Sequence, residues 1–173
     1  MSHGWNATCY QIVNPIFEYH FQAYTDSVVA FVRARGRRVV AGAPVCPVES
    51  LPQVLADFES SEAGPVLYFG AGDRVVDILR TQRAAGVVSL GAQPVWQPKD
   101  WQERTTRRPS LRYQFNRARN KGVVVTEWGT ERAQDSRELR QVLDSWLRRR
   151  GLPPLHFLVE PETLSFLVDR RTF

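Results

Sequence analysis

The chain has 173 residues, of which 43% are hydrophobic and 24% are charged. This composition supports a buried core and excludes an intrinsically disordered chain, and the longest apolar run, at 28–32, is far shorter than the roughly 20 residues of a membrane-spanning helix. The net charge of +5 excludes neither an enzyme nor a binding protein, so its distribution along the chain matters more than its size.

The first predicted elements are a β-hairpin and a helix. Residues 27–32 and 38–43 are rich in β-branched and apolar side chains, and Gly36 supplies the turn between them. Ser50 is a suitable N-cap for a helix that ends near Gly64. Apolar residues meet the helical spacing i, i+3, i+4, i+7 at four positions: Leu51, Val54, Leu55 and Phe58.

A strand, a helix and a second strand are predicted next. Residues 66–69 form a short apolar run closed by glycines, which indicates a buried strand. Asp73 caps a helix that ends near Gly86. The apolar residues of that helix are Val76, Ile78 and Leu79. Residues 87–90 are again β-prone and predict a further strand.

Residues 106–120 are predicted to form a helix with two different sides. Thr106 or Ser110 caps it, Pro109 falls in its first turn and Gly122 follows its end. The apolar side consists of Leu111, Phe115 and Ala118. A polar side follows the spacing i, i+4, i+8, i+11 and consists of Arg108, Arg112, Asn116 and Arg119.

The last predicted elements are a strand at 123–128 and a helix capped by Ser136. One side of this helix is apolar: Leu139, Val142, Leu143, Trp146 and Leu147. The arginines at 148–150 complement the dipole of its last turn, so we assign them no binding role. Residues 164–168 form a further β-prone or short helical segment. The alternation of strands and helices predicts a layered α/β domain.

The positive charge is concentrated in residues 104–126, which contain seven basic residues and no acidic one. The rest of the chain carries a net charge of −2. Such a segment attracts phosphates, either of RNA or of lipid head groups, and a planar guanidinium can donate two hydrogen bonds to one phosphate. The alternative is a solvated helix face that binds nothing.

Motifs of the common catalytic sites are missing from the sequence. The chain has no Walker A motif, no GxGxxG loop, and neither HExxH nor GxSxG. Its three histidines are isolated in sequence, and Cys9 and Cys46 form no metal-binding spacing with them. Two thiols of this kind indicate a reduced, cytoplasmic protein. The catalytic residues are therefore unknown, and neither a metal nor a cofactor is expected.

Three stretches of the chain resemble a known family. They are DSVVAFV through VVAGAP at 26–44, VVSLGA at 87–92, and PSLRYQFNRARNKG at 109–122, the last followed by a helix containing ELRQVLDSWL. The pattern SLRxxxNRARxxG is the more specific of these signals. Together they resemble the cytosolic C-terminal domain of phosphatidylglycerol lysyltransferases, and the resemblance covers most of the chain.

The resemblance implies an α/β fold of the GCN5-related N-acetyltransferase (GNAT-like) type, with a mixed sheet flanked by helices, as the first unit of a tandem pair. Residues 1–150 would form a degenerate GNAT-like unit. Residues 151–173 would form a linker and the truncated start of a second GNAT-like unit. That second unit of the same protein is the expected partner of the first.

The activity that the resemblance implies is transfer of an amino acid from aminoacyl-tRNA to phosphatidylglycerol or a related acceptor. Because the sequence shows no transmembrane segment, a soluble acceptor is an alternative, and the expected location is the cytoplasm or the surface of the inner membrane. Much of the catalytic set would lie in the second unit, so this chain alone would be inactive.

The resemblance assigns phosphate binding to the basic helix. The residues that match its pattern, with two flanking cations, are Arg108, Arg112, Asn116, Arg117, Arg119 and Lys121. They would hold a phosphate of the tRNA or of the anionic phospholipid through charge-assisted hydrogen bonds, without transferring protons.

Binding of acetyl-CoA is not expected. A CoA-dependent GNAT enzyme needs a turn of the type Gln/Arg-x-x-Gly-x-Gly/Ala that leads from a strand into a helix. The nearest match runs from Arg83 to Val88, ends in valine and leads from a helix into a strand.

An alternative hypothesis, from a different functional class, is a non-catalytic module that binds RNA or anionic lipid, or only packs against a second domain. This hypothesis predicts binding without turnover, whereas the transferase hypothesis predicts binding and turnover.

Overall fold

The structure is a computed structural model that describes residues 2–5, 7–82, 86–92, 95, 97–149, 164, 167–168 and 170–173. The chain divides into two compact units, Met1–Ser89 with Arg140–Phe166 and Leu90–Leu139 with Leu167–Phe173. The expected repeat boundary after residue 150 stays a prediction.

A four-stranded mixed sheet forms the centre of the first unit. Its strands, in spatial order, are β1 (Glu18–Gln22), β2 (Ser27–Ala34), β3 (Arg37–Ala41) and β4 (Val66–Phe69). The pairs β1–β2 and β2–β3 are antiparallel, whereas β3–β4 is parallel. A parallel pair needs a crossover, and the helix α1 (Leu51–Ser61) supplies it. This mixed sheet with flanking helices confirms the predicted GNAT-like α/β fold class.

The β2–β3 hairpin, which is confirmed, closes through Arg35 and Gly36. Their φ angles are 50° and 73°, and the flanking Ala34 and Arg37 face each other across the strands. Positive φ at both central positions is typical of a type I′ turn, whose twist matches that of the strands. Gly36 adopts this conformation freely, whereas the Cβ atom of Arg35 is strained there.

The helix α1 covers one side of the sheet. Its four predicted apolar residues are buried: Leu51, Val54, Leu55 and Phe58. They share a core with three sheet residues, Val29, Phe31 and Val40. Ser50 occupies the N-cap position, as predicted, but its side chain makes no capping hydrogen bond.

Arg38, on β3, closes the C-terminal end of α1. Its side chain is buried, and it donates from Nη1 to Phe58 O at 2.7 Å and from Nη2 to Glu62 O at 2.9 Å. The carbonyls at a helix C-terminus have no partner within the helix. The guanidinium also lies 4.5 Å from the centroid of the Phe58 ring. The helix end therefore satisfies a buried charge that would otherwise need a carboxylate.

The other side of the sheet packs against a 3-10 segment, Ala7–Val13. Its Cys9 and Ile12 join Phe17 in a second apolar cluster with Ala30 and Ala41. The sequence patterns predict neither this segment nor β1. The sequence of β1, EYHFQ, is largely polar because β1 is an exposed edge strand.

A second helix, α2 (Asp73–Gln82), follows β4 as predicted. Its fully buried residue is Val75, while Val76 is only half-buried. Ile78 and Leu79 pack against the core as predicted, so the prediction is wrong only in placing Val76 on this side instead of Val75. The prediction that residues 66–69 form a buried strand is only partly correct, because β4 is an edge strand and half of the Leu67 surface is exposed.

The predicted strands at 87–90 and 123–128 are wrong. Residues 86–92 have no regular secondary structure, and residues 123–125 are exposed. In the second stretch, Trp128 forms an isolated bridge to Thr172. β-Branched residues favour a strand only where a neighbouring strand covers and pairs with them. Within the described part of the chain, neither stretch has such a neighbour.

The second unit contains helices α3 (Trp101–Arg107), α4 (Pro109–Asn120) and α5 (Thr130–Gln134), and a 3-10 turn, Pro98–Asp100, precedes them.

A further helix, α6 (Arg137–Arg149), begins where predicted, since the Leu139 N–H donates to Ser136 Oγ at 3.2 Å. No helix of the described ranges is both long and apolar enough to cross a bilayer. Three predictions fall wholly or partly outside those ranges: the role of Arg150, the segment 164–168 and the turn at 83–88.

Candidate phosphate-binding surface

The helix α4 has an abrupt start because Pro109 is its first residue. A residue before proline is pushed out of the helical region, and Arg108 has extended angles of φ −98° and ψ 110°. The preceding helix α3 therefore ends at Arg107, and the single helix predicted from residue 106 is two helices. Arg108 is the N-cap, so the predicted caps Thr106 and Ser110 are both wrong.

Gly122 ends α4, as predicted. Its φ is 74°, and its N–H donates to Arg119 O at 3.0 Å while the Val123 N–H donates to Ala118 O at 3.1 Å. This pair of bonds is a Schellman motif, which satisfies the last carbonyls of a helix. The motif keeps the turn that carries Arg119 helical.

The six predicted site residues divide into two groups on α4. One side carries three arginines, which we call the arginine stripe: Arg108, Arg112 and Arg119. At about 100° per residue, the Cα atoms of these three residues lie within about 40° of one another around the helix axis, and Asn116 borders them. Arg117 and Lys121 point about 140° and 180° away from Arg112 by the same geometry. One ligand on one side of the helix can therefore contact only the first group.

The arginine stripe is exposed and has no ion pair among the described residues. Arg112 donates from Nη1 to Thr106 O at 3.0 Å, which ties its side chain to the corner between α3 and α4. Arg107, outside the stripe, pairs with Glu103. The positive charge of the stripe is thus left to act on an external anion.

Phe115 is predicted to lie on the apolar side of α4, but the structure leaves it exposed. Leu111 and Ala118 are half-buried, but Phe115 is 60% exposed. It follows Arg112 by three residues and precedes Arg119 by four, so its direction lies within about 60° of the whole stripe. This spacing is the sequence signal that identifies Phe115 as part of the surface.

The groups with shifted pKa values lie elsewhere and have structural causes. A hydrogen bond from Arg33 lowers the pKa of Glu62, and one from Arg171 lowers the pKa of Glu127. Burial raises the pKa of the Cys46 thiol. Such shifts accompany ion pairs and packing as well as catalysis, and none of these groups belongs to the arginine stripe.

Each of the two described histidines forms a hydrogen bond with an aspartate. The distances from Nε2 to Oδ2 are 2.9 Å for His3 with Asp26 and 2.8 Å for His20 with Asp57. In the part of the chain that the structure describes, no three His, Cys, Asp or Glu side chains are grouped to hold a metal ion. The catalytic residues stay unassigned, and His156 lies outside the described residues.

The turn between β3 and α1 leads from a strand to a helix N-terminus, which is the arrangement that favours binding of an anionic pyrophosphate. Residues 42–46 of this turn are buried. The N–H groups of Gly42 and Val45 donate to carbonyls of β4 and β2, at 2.8 and 2.9 Å. Pro44 and Pro47 have no N–H. These amides hold the fold together and do not face a ligand.

Comparison with known proteins adds one match. A family model described as "Phosphatidylglycerol lysyltransferase, C-terminal" matches residues 5–164, which is nearly the whole chain and includes α4. No curated protein and no solved structure matches the chain significantly.

Proposed function

The chain belongs to the family of phosphatidylglycerol lysyltransferase C-terminal domains, and we propose that it is part of an aminoacyltransferase. In this proposal the enzyme moves an amino acid from aminoacyl-tRNA to phosphatidylglycerol or a related acceptor. The arginine stripe, with Asn116 beside it, holds a phosphate of one of the two substrates. A second GNAT-like unit of the same protein supplies catalytic groups.

The observation that carries this proposal is the unpaired charge of the arginine stripe. Its guanidinium groups are exposed on one side of a single helix, in a segment without acidic residues. Charge-assisted hydrogen bonds to phosphate are about twice as strong as those between neutral groups. Because arginine remains protonated at all physiological pH values, the stripe positions a substrate and does not transfer protons.

The alternative proposal is a non-catalytic module that binds RNA or anionic lipid. It is supported by the fact that the described groups with shifted pKa values serve ion pairs or packing. Both proposals require the same anionic ligand at the arginine stripe, and they differ in whether amino-acid transfer follows.

Two binding assays test the shared requirement. Fluorescence anisotropy measures the binding of labelled tRNA to the chain, and co-sedimentation measures its binding to phosphatidylglycerol vesicles, each between about 50 and 200 mM salt. We expect affinity for one of these ligands to fall steeply with salt. Arg119→Ala should reduce the slope of log Kd against log salt by about one unit, because one phosphate contact is lost.

The matched control is Arg148→Ala, which removes an exposed arginine from α6 and should leave the slope unchanged. Salt-independent binding, or no binding to either ligand, would contradict both proposals. A transfer assay with a labelled aminoacyl-tRNA and phosphatidylglycerol, run on a protein that carries this chain together with the proposed second GNAT-like unit, then separates them, since binding without transfer by that protein supports the non-catalytic module.

A further inference from the structure

An aromatic side chain lies within the arginine stripe. Phe115 is 60% exposed, and Arg112 and Arg119 are one helical turn before it and one after it. Tyr113, which is 63% exposed, points about 160° away from Phe115 on the same helix. The two rings are alike in exposure, but only Phe115 shares a side with the arginine stripe and has an arginine one turn before it and another one turn after it. Tyr113 has one arginine, Arg117, one turn after it, and Pro109 and Ser110 one turn before it.

This combination of groups has a specific binding chemistry. Proteins that hold single-stranded nucleic acids combine cations along the backbone with exposed aromatic rings on which bases stack. Arg108 and Arg119 are about 16 Å apart along the helix axis, at 1.5 Å per residue. One lipid head group presents a single phosphodiester, whereas a nucleotide chain presents a row of phosphates and bases that can follow a stripe of this length.

We infer that this side of α4 binds the unpaired nucleotides at an end of an RNA. Phe115 stacks on a base, while Arg112 and Arg119 donate to the flanking phosphates. Arg112 keeps this capacity, because the hydrogen bond that it donates to Thr106 O uses only Nη1. The inference rests on the proposed function and deepens it, since it assigns the stripe to the RNA substrate and to its single-stranded part.

The test uses two labelled RNA hairpins that differ only in four unpaired nucleotides at the 3′ end. Binding to the chain is measured by fluorescence anisotropy at constant salt. Phe115→Ala should weaken binding of the hairpin with the unpaired end by between about 5-fold and 140-fold, the range for losing one base–aromatic stack. Its affinity for the blunt hairpin should stay the same. Phe115→Trp should retain the affinity for the unpaired end, whereas Phe115→Leu should not, because leucine lacks a ring.

Tyr113→Ala is the matched control and should leave the affinity for both hairpins unchanged. If Phe115→Ala has no larger effect than Tyr113→Ala while Arg119→Ala weakens both hairpins, the stacking inference is wrong and the proposed phosphate contact stands. If Arg119→Ala also has no effect on RNA or vesicles, the proposed function fails as well. If Phe115→Ala and Phe115→Leu differ only in binding to phosphatidylglycerol vesicles, the aromatic ring enters a lipid surface and the RNA inference is overturned.

Discussion

Arginine serves three purposes in this chain, and the surroundings of each side chain decide which. Arg38 is buried and donates to main-chain carbonyls at the end of α1. Arg33 pairs with Glu18 at 3.0 Å and with Glu62 at 2.6 Å. Arg119 is exposed and has no carboxylate partner among the described residues. Binding capacity therefore follows from the local lack of carboxylates and not from the number of arginines.

At Arg35 the fold tolerates a strained main chain. The φ of 50° lies in the left-handed region, which asparagine adopts more readily than arginine. Arg35→Asn should therefore raise the free energy of unfolding by about 0.5 to 1 kcal/mol, measured by urea denaturation. Arg37→Asn changes the same charge at an exposed strand position without positive φ and should give no gain. Equal stability of the two variants would contradict this account of the turn.

At the scale of elements, local sequence signals predict some helix ends, whereas contacts between distant segments determine whether a β-prone stretch forms a strand. Ser136 and Gly122 mark helix ends through their own hydrogen bonds, and the structure confirms both. The stretches at 87–90 and 123–128 have β-prone residues, but a strand also needs a neighbour that local sequence does not reveal. The two-group division of the site follows from helical spacing, so it is predictable from the sequence once residues 109–120 are recognised as helical. The exposure of Phe115 depends on which side of α4 other segments leave uncovered.

The helix α4 depends on Gly122 for its last turn. A Cβ atom at this position would meet no neighbouring atom, so the φ of 74° is the cause of any destabilisation. Gly122→Ala should lower the free energy of unfolding by about 1 kcal/mol. Hydrogen exchange should also become faster at the amides near Arg119, where the Schellman bonds end the helix.

Gly86→Ala is the control for this substitution, because Gly86 is equally open and has no positive φ. We expect it to leave stability unchanged or to raise it slightly, since alanine restricts the unfolded chain. Unfolding measurements that place the two variants within error of each other would contradict a conformational role for Gly122.

At the scale of the whole molecule, the sheet has a GNAT-like architecture, but two of the amides in its β3–α1 turn are already bonded to neighbouring strands. The parallel β3–β4 pair and the crossover helix α1 bring a helix N-terminus to the end of a strand. That geometry normally offers free amides to an anion. Here residues 42–46 are buried, and two of the N–H groups bond to neighbouring strands. The α/β fold class was predictable from the alternation of strand and helix patterns in the sequence. The hydrogen bonding of the turn amides was not, because it depends on which strands pair across the sheet.

The chain should therefore not bind acetyl-CoA. Isothermal titration calorimetry of the chain with acetyl-CoA should give no binding heat at micromolar concentrations, in parallel with a CoA-dependent GNAT enzyme as the positive control. Substituting Pro44 and Pro47 together by alanine restores two N–H groups, yet binding should still be absent. The amides of Gly42 and Val45 remain bonded within the sheet, and residues 42–46 remain buried. A micromolar Kd for the unmodified chain would contradict this prediction. It would show that the turn can expose its amides to a pyrophosphate, as in GNAT proteins that bind acyl-CoA.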